Sequence, residues 1–199
     1  GTIDNDINGT DYSIGYDTAL NTVVEAVDKI RDTAGSHNRL FFIEVMGRDA
    51  GFIAMRSGIA CGAEAILIPE VLEQVEHLKD YLEKGFKRRK SSNIIIVAEG
   101  DESGGAFAIA EKVKDDFADY EIRVSVLGHI QRGGVPSAYD RVSASKLGFA
   151  AVEALMDDQK SVMVGFHNTE LDLVPFRKVI KVKKKVDPEE MQMVEILSV

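Results

Sequence analysis

The stretch Leu40-Phe41-Phe42-Ile43-Glu44-Val45-Met46-Gly47-Arg48 decides the fold, because a run of mostly apolar, β-favouring residues ends there at a glycine. Similar runs occur at 65–68, 94–98 and 124–127. Helical patterns separate these runs, as in repeated βαβ units. The sequence therefore predicts a three-layer α/β fold with a largely parallel sheet.

The spacing of apolar residues predicts the helices between the strands. The first covers about 13–33 and has one apolar stripe, whose members are Leu20, Val23, Val24, Val27 and Ile30. Further helices are predicted from Val71 to Phe86, from Ala106 to Phe117 and at 138–156. A strand at 161–166 and a short closing helix after Asp187 complete the pattern.

The amino-acid composition limits which classes of protein this chain can belong to. The 199 residues are 45% hydrophobic, so we expect one globular unit or parts of two. The net charge of −9 disfavours non-specific nucleic-acid binding, and no stretch approaches the roughly 20 apolar residues of a membrane span. The single cysteine, Cys61, indicates a reducing compartment, and we expect a cytoplasmic location.

The chain opens with Gly1-Thr2-Ile3-Asp4-Asn5-Asp6. Thr2 and Ile3 are typical of the end of a strand. The triplet Asp4-Asn5-Asp6 is typical of the turn beyond it, where α/β proteins usually have their active sites. A second carboxylate raises the pKa of the first and suits one of them to act as a base. A solvated turn before a helix explains the same residues.

Polar side chains follow three of the predicted strands. Arg48 follows the first, Glu99 the third, and His129 and Arg132 the fourth, in a glycine-rich turn. Parallel strands end at one edge of a sheet, so these groups together suit a phosphorylated polyol. Taken singly, Arg48 can equally form a surface ion pair, and a lone histidine after a strand is more often a structural hydrogen-bonding residue than a ligand.

Two common kinds of site are missing from the sequence. The histidines and the lone cysteine lack the spacing of transition-metal ligands, so we predict no metal site built from protein side chains. The Gly-x-x-x-x-Gly-Lys-Ser/Thr loop that cradles nucleotide phosphates is also absent.

Three motifs, in this order and at these separations, resemble the 6-phosphofructokinase family: residues 1–6, Met46-Gly47-Arg48, and Leu127-Gly128-His129-Ile130-Gln131-Arg132-Gly133-Gly134. The similarity runs from Gly1 to about Phe166 and becomes vague in the last thirty residues. It implies that the parent protein transfers the γ-phosphoryl group of ATP to fructose 6-phosphate in glycolysis. The products are fructose 1,6-bisphosphate and ADP.

The resemblance also implies the roles of individual residues. Asp4 is the base that takes the proton from the sugar 1-hydroxyl, and Asp6 supports it electrostatically. Thr2 lies beside the transferring phosphoryl group, and Arg48 stabilises its charge in the transition state. The residues implied to hold fructose 6-phosphate are Met46, Gly47, Glu99, His129 and Arg132.

Arg39 and Arg123 match family residues that reach the sugar phosphate bound to a neighbouring subunit. This match implies a homotetramer with shared active sites. From the residues alone, Arg39 can equally cap the strand that starts at Leu40, and Arg123 can be an exposed member of an alternating strand.

Gly1 bears on the phosphoryl donor. ATP-using members of the family have glycine at this position, whereas pyrophosphate-using members usually have lysine. The resemblance therefore implies ATP, with Mg²⁺ as the cofactor, and a pyrophosphate-dependent phosphofructokinase is the alternative.

A regulatory site is also implied. Five residues match the positions at which bacterial-type members bind ADP or phosphoenolpyruvate, namely Arg31, Gly62, Glu64, Arg88 and Lys90. A solvated basic helix end explains the four cations at 87–90 at least as well.

The family's glycine-rich ATP-binding segments and magnesium-binding loop have no counterpart before Gly1, so we expect the two-domain fold to be truncated on its N-terminal side. Residues 1–15 and 131–180 would belong to the nucleotide-binding domain, and residues 16–130 and 181–199 to the sugar-phosphate domain. Helix 138–156 would then expose an apolar face. We expect the fragment alone to be catalytically inactive and prone to self-association.

Two other hypotheses remain open for the chain itself. It can be a non-catalytic module that binds a sugar phosphate or an effector, which calorimetry with fructose 6-phosphate would detect. Alternatively, Asp4 and Asp6 can be ligands of a metal-dependent phosphatase, which would release phosphate without any nucleotide.

Overall fold

The computed structural model describes residues 1–33, 39–71, 74–76, 78–79, 82, 93–101 and 104–197. Its helices are α1 (Tyr16–Thr33), α2 (Phe52–Cys61), α3 (Gly105–Val113), α4 (Ala138–Met156), α5 (Phe176–Lys181) and α6 (Pro188–Leu197). Its strands are β1 (Arg39–Val45), β2 (Ala65–Leu67), β3 (Asn93–Ala98), β4 (Glu121–Val126), β5 (Val162–His167) and β6 (Glu170–Pro175). The predicted α/β fold with a mostly parallel central sheet is confirmed.

The central sheet has four parallel strands in the order β2-β3-β1-β4, and β5 and β6 form a separate antiparallel hairpin. Alternate residues of β1 face opposite layers, as the pleat requires. Phe41 and Ile43 pack with α1 and α2 on one face. Leu40 and Phe42 pack with α3 on the other. Helices therefore cover both faces of the sheet at β1, β2 and β3, which explains why these strands read as nearly continuous apolar runs.

Helix α1 begins at Tyr16, three residues later than predicted. The predicted start fails because Ser13 belongs to the preceding turn: its amide donates to Asn5 Oδ1 at 2.9 Å and its hydroxyl donates to the Thr2 carbonyl at 2.6 Å. The predicted apolar stripe faces the core: Val23 and Val27 are fully buried, and Leu20, Val24 and Ile30 pack against the same cluster, which Tyr16 and Ala19 extend.

The other predicted elements differ mainly at their ends. Helix α4 has the predicted bounds, α3 ends at Val113 instead of 117, and β5 is displaced by one residue. Strand β4 begins three residues earlier than predicted, because charged residues alternate with apolar ones along this edge strand. The predicted helix from Val71 to Phe86 falls largely outside the described residues.

Three elements were not predicted. Helix α2 is almost wholly buried, so its apolar residues show no single stripe that spacing could detect. Strand β6 and helix α5 lie in the C-terminal part, where exposed charged residues blur the apolar pattern. Within the described part of the chain, no helix is both long and apolar enough to cross a membrane.

Helix α4 exposes apolar side chains, as expected. The clearest are Val142, Phe149, Val152, Leu155 and Met156, all more than half exposed. At its N-terminus the helix has a regular cap, since the Ser137 side chain accepts a hydrogen bond from the Asp140 amide at 3.1 Å. The helix is therefore well formed at its start although much of its apolar surface is uncovered.

Asp140 joins the starts of α4 and α1. Its carboxylate is buried and accepts hydrogen bonds from the amides of Gly15 and Thr18, both at 2.8 Å, and from the Thr18 hydroxyl. A carboxylate at a helix N-terminus satisfies unpaired amides and complements the helix dipole. Asp140 therefore fixes α1 against the segment that follows β4.

We predict that Asp140→Asn lowers the free energy of unfolding by about 2–3 kcal/mol, because the amide group turns a donor toward groups that themselves donate. Urea denaturation of the complete protein measures this change. Asp119→Asn is the control, because Asp119 is exposed and its replacement should change stability by less than about 0.5 kcal/mol. Equal effects of the two substitutions would contradict the prediction.

Candidate active site

The three predicted strand ends meet at one edge of the sheet. Val45 lies opposite Ala98, and Glu44 lies opposite Val126, so the segments that follow β1, β3 and β4 start side by side. The backbone continues this pairing, with Glu99 N donating to Val45 O at 2.9 Å and Leu127 N donating to Glu44 O at 3.0 Å. The register of the parallel strands thus brings the starts of these polar segments together at one edge.

Glu99 binds the backbone at the end of β1. Its Oε1 accepts hydrogen bonds from the amides of Arg48 at 2.8 Å and Gly47 at 3.3 Å. Arg48 has a φ of +53°, which is uncommon for a residue with a side chain, and these hydrogen bonds help to hold it there. Glu99 therefore positions the Met46-Gly47-Arg48 segment, and its second carboxylate oxygen is available for a ligand.

Asp4 lies against Arg48. The Asp4 Oδ2 atom is 3.5 Å from Arg48 Nε, and the Asp4 carboxylate is buried whereas the Arg48 side chain is 71% exposed. The Asp4 amide donates to Thr2 Oγ1 at 3.2 Å, and Asp6 is exposed. A buried carboxylate beside an exposed guanidinium pairs a proton acceptor with a flexible cation.

Asn5 holds the opening turn in place. It is buried with a φ of +54°, a conformation that asparagine tolerates better than most residues. Its Oδ1 accepts from the Ser13 amide at 2.9 Å, and its Nδ2 donates to the Asp11 carbonyl at 3.2 Å. Sequence analysis treated Asn5 only as a turn residue and assigned it no role in positioning Asp4.

His129 and Arg132 lie in a short 3-10 helix, Gly128–Arg132, and both are exposed. Between them, Gln131 is buried and bonded to the backbone of Met46 and Gly128. Arg132 also borders an open cleft of about 330 Å³, whose other walls include Ile3, Gly15 and Asp140. This cleft connects the turn after β4 with the opening segment that carries Asp4.

Arg39 and Arg123 lie elsewhere. Both pair with Glu121, Arg39 through Nε at 2.8 Å, and the hydrogen bond from Arg39 is the main reason that the pKa of Glu121 is lowered. Arg39 begins β1 and Met46 follows its end, which separates them by roughly 20 Å at about 3.3 Å per residue. Arg39 therefore cannot contact the same small ligand as the Asp4–Arg48 pair of its own chain.

The implied effector residues are only partly described. Arg31 donates to the Cys61 carbonyl, next to Gly62, which has a φ of +60°. Glu64 is buried, and its Oε2 accepts from the Ile94 amide at 2.6 Å. Burial also raises the pKa of the Cys61 thiol to about 11, so this neighbour is uncharged at neutral pH. Arg88 and Lys90 lie outside the described residues.

Comparison with known proteins identifies the family. The sequence model for Phosphofructokinase matches residues 1–155. The chain belongs to the phosphofructokinase family. It is 54% identical over 199 residues to ATP-dependent 6-phosphofructokinase 2 of Bacteroides thetaiotaomicron and 50% identical over 198 residues to ATP-dependent 6-phosphofructokinase 1 of Thermus thermophilus. These matches cover 100% of this chain and 61% of each relative.

Solved phosphofructokinases have the same fold. The phosphofructokinase of Saccharomyces cerevisiae superposes with a TM-score of 0.85 at 33% identity, over 100% of this chain and 27% of that one. A pyrophosphate-dependent phosphofructokinase from Marinobacter aquaeolei gives a TM-score of 0.79 at 23% identity, over 98% of this chain and 58% of that one, which shows a shared fold alone. The expected family and its fold are thus confirmed.

Some residues that hold the site together were not among the predicted site residues. Asn5 and Gln131 were present in the quoted motifs and Asp140 was not, and the bonds of Gln131 to Met46 and of Asp140 to Thr18 join segments far apart in the chain. Among the residues that the structure describes, no group of three or more His, Cys, Asp or Glu side chains could hold a metal ion. The roles predicted for individual site residues stay predictions.

We predict that Asn5→Ala destabilises the complete protein by about 2 kcal/mol more than Asn168→Ala, because the hydrogen bonds of a buried side chain to the Asp11 carbonyl and to Ser13 are lost. Asn168 is a matched control, since it also has a positive φ, +51°, but is exposed. Urea denaturation of both variants measures the difference. Equal losses would mean that the backbone conformation, and not the hydrogen bonds, accounts for the effect of Asn5.

Proposed function

We propose that the complete protein transfers the γ-phosphoryl group of ATP to the 1-hydroxyl of fructose 6-phosphate, giving fructose 1,6-bisphosphate and ADP as a step of glycolysis. The observation that carries the proposal is the buried Asp4 carboxylate, 3.5 Å from Arg48, at the edge where three strands end. The relatives named ATP-dependent 6-phosphofructokinase support the same reaction.

In this mechanism Asp4 is the general base. Its carboxylate accepts the proton of the sugar 1-hydroxyl while the sugar oxygen bonds to the γ-phosphorus and the bond to ADP breaks. Arg48 stabilises the negative charge on the transferring group, and its exposed side chain leaves the Asp4 carboxylate when a phosphoryl group takes its place. Thr2 lies beside that group, and Asp6 adds negative charge that favours proton transfer to Asp4.

The sugar phosphate lies across the three strand ends. His129 and Arg132 are exposed on the turn after β4 and suit the 6-phosphate. The Arg132 guanidinium can donate two parallel hydrogen bonds to phosphate oxygens, and the His129 imidazole can donate one more. The free carboxylate oxygen of Glu99 accepts a hydrogen bond from a sugar hydroxyl. Met46 and Gly47, which are both buried, line the floor of this sugar-phosphate site.

ATP is the proposed donor. Pyrophosphate-using members usually have lysine in place of Gly1. A Cβ atom at this position would lie 2.9 Å from the Ile14 carbonyl oxygen, so a lysine would need this contact to shift. Mg²⁺ takes few protein carboxylates and several phosphate and water oxygens, so the phosphates of ATP would supply most of its ligands. When bound, it neutralises phosphate charge.

The same proposal covers assembly and organisation. Arg39 and Arg123 would bind the sugar phosphate of a neighbouring subunit in a homotetramer, because they lie at the opposite end of β1 from the Asp4–Arg48 pair.

Residues 16–130 and 181–199 would form the sugar-phosphate domain, and 1–15 and 131–180 parts of the nucleotide-binding domain. The cytoplasm is the proposed location for a glycolytic enzyme with a single cysteine.

We predict that Asp4→Asn in the complete protein lowers kcat for fructose 6-phosphate by about 10³-fold, the usual contribution of a general base. Asp119→Asn, on the exposed surface, is the control and should keep full activity. The assay follows ADP formation with ATP, and phosphate formation with pyrophosphate or with no donor.

Each assay separates one hypothesis from the others. Turnover with pyrophosphate instead of ATP would establish the alternative donor, and phosphate release without a donor would establish a phosphatase. Full activity of Asp4→Asn would overturn the role of Asp4. Binding of fructose 6-phosphate without turnover would leave a non-catalytic sugar-phosphate module.

We also propose that Arg31, Gly62 and Glu64, with Arg88 and Lys90, bind an anionic effector, ADP or phosphoenolpyruvate. The contact of the Arg31 guanidinium with the backbone before Gly62 supports this grouping. Arg31→Met should weaken binding of phosphoenolpyruvate by about tenfold, because a charged hydrogen bond is lost. Calorimetry on the complete protein measures it, with Lys29→Met on the same helix as the control, and an unchanged affinity would contradict the proposal.

A further inference from the structure

Gln131 connects two parts of the candidate active site. Its side chain is 1% exposed. Its Oε1 accepts a hydrogen bond from the Met46 amide at 3.2 Å, and its Nε2 donates to the Gly128 carbonyl at 3.0 Å. One side chain thus joins the segment after β1 to the turn after β4.

This connection lies beyond the last backbone contact between the two strands. Leu127 N donates to Glu44 O at 3.0 Å, one residue past the last paired residues of the two strands, Glu44 and Val126. Gln131 adds a link two residues beyond Glu44, at Met46, which follows the end of β1. The turn that carries His129 and Arg132 is therefore held at a fixed distance from the segment that carries Arg48.

Glu99 holds the same segment from the other side. It accepts hydrogen bonds from the amides of Gly47 and Arg48, and it follows β3, the neighbour of β1 opposite to β4. The amides of Met46, Gly47 and Arg48 are thus bonded in turn by Gln131 and Glu99. Buried polar groups that satisfy each other in this way rigidify a site.

We propose that Gln131 is a positioning residue for fructose 6-phosphate, which rests on the proposed function. It sets the distance between the side chains that bind the 6-phosphate, His129 and Arg132, and the guanidinium of Arg48 at the reacting end. Gln131 touches no reacting atom itself. Its loss misplaces the sugar and leaves nucleotide binding unchanged, since misplacement of about 1 Å is enough to impair reaction strongly.

The test is Gln131→Met in the complete protein, which keeps the side-chain volume and removes both hydrogen bonds. We expect KM for fructose 6-phosphate to rise by about tenfold and KM for ATP to change by less than about twofold. Calorimetry without ATP should show the same weakening of fructose 6-phosphate binding.

Gln74 offers a matched control. It also joins two backbone groups, since its Oε1 accepts from the Ile68 amide at 2.8 Å and its Nε2 donates to the Ile66 carbonyl at 3.2 Å. Gln74→Met thus removes the same pair of bonds outside the candidate site. It should lower the unfolding temperature but change both KM values by less than about twofold.

A second variant decides the matter if Gln131→Met does not fold. Gln131→Glu keeps the acceptor for the Met46 amide, but its ionised form cannot donate to the Gly128 carbonyl. Protonation restores that donor, and burial raises the pKa of such a carboxyl. The ratio of its KM for fructose 6-phosphate to that of the wild type should therefore fall as the pH decreases from about 8 to about 6.5.

The outcomes separate the inference from the proposed function. An active wild type with unchanged KM values in Gln131→Met, or a pH-independent ratio near one in Gln131→Glu, would overturn the positioning role alone. A wild type that binds fructose 6-phosphate without turnover would overturn the proposed function. If Gln131→Met still weakened that binding, the positioning role would stand.

Discussion

The parallel pairing of β1 with β3 and β4 is the constraint on which the rest of the structure depends. It aligns Val45 with Ala98 and Glu44 with Val126, so the next residues of three strands leave the sheet at one edge. A shift of one residue would turn each buried side chain to the opposite layer, because side chains alternate along a strand. The close packing of particular side chains in each layer therefore favours this register, and the register fixes where the site forms.

Beyond the ends of the strands, hydrogen bonds from polar side chains to the backbone hold the segments of the site in place. Buried Asn5 bonds to the backbone of Ser13 within the opening segment that carries Asp4. Half-buried Glu99 and buried Gln131 bond to the backbone of the segment that carries Arg48. An unpaired buried polar group costs about 1–3 kcal/mol, so each of these contacts must form for the segment to stay in place. The groups proposed to meet the substrate, His129 and Arg132, remain exposed on this rigid support.

The same sheet gives its two ends different chemistry. At the carboxyl ends of the strands a buried carboxylate faces an exposed arginine, whereas near the amino end of β1 two arginines share the exposed carboxylate of Glu121. The arginines lower the pKa of Glu121, which therefore stays ionised and partly neutralises them. The exposed apolar side chains of α4 lie outside both regions of charge, on the segment that Asp140 ties to α1.

The sequence by itself determined the fold class, the main strands, the bounds of α4 and the polar residues that follow each strand, because apolar runs and helical spacing are local signals. It could not locate α2, whose nearly complete burial removes the stripe that marks a surface helix. Nor could it show that Gln131 and Asp140 hold distant segments together. Only the tertiary structure decided those contacts, because a hydrogen bond between residues as far apart as Thr18 and Asp140 depends on how the chain packs and leaves no pattern in its local sequence.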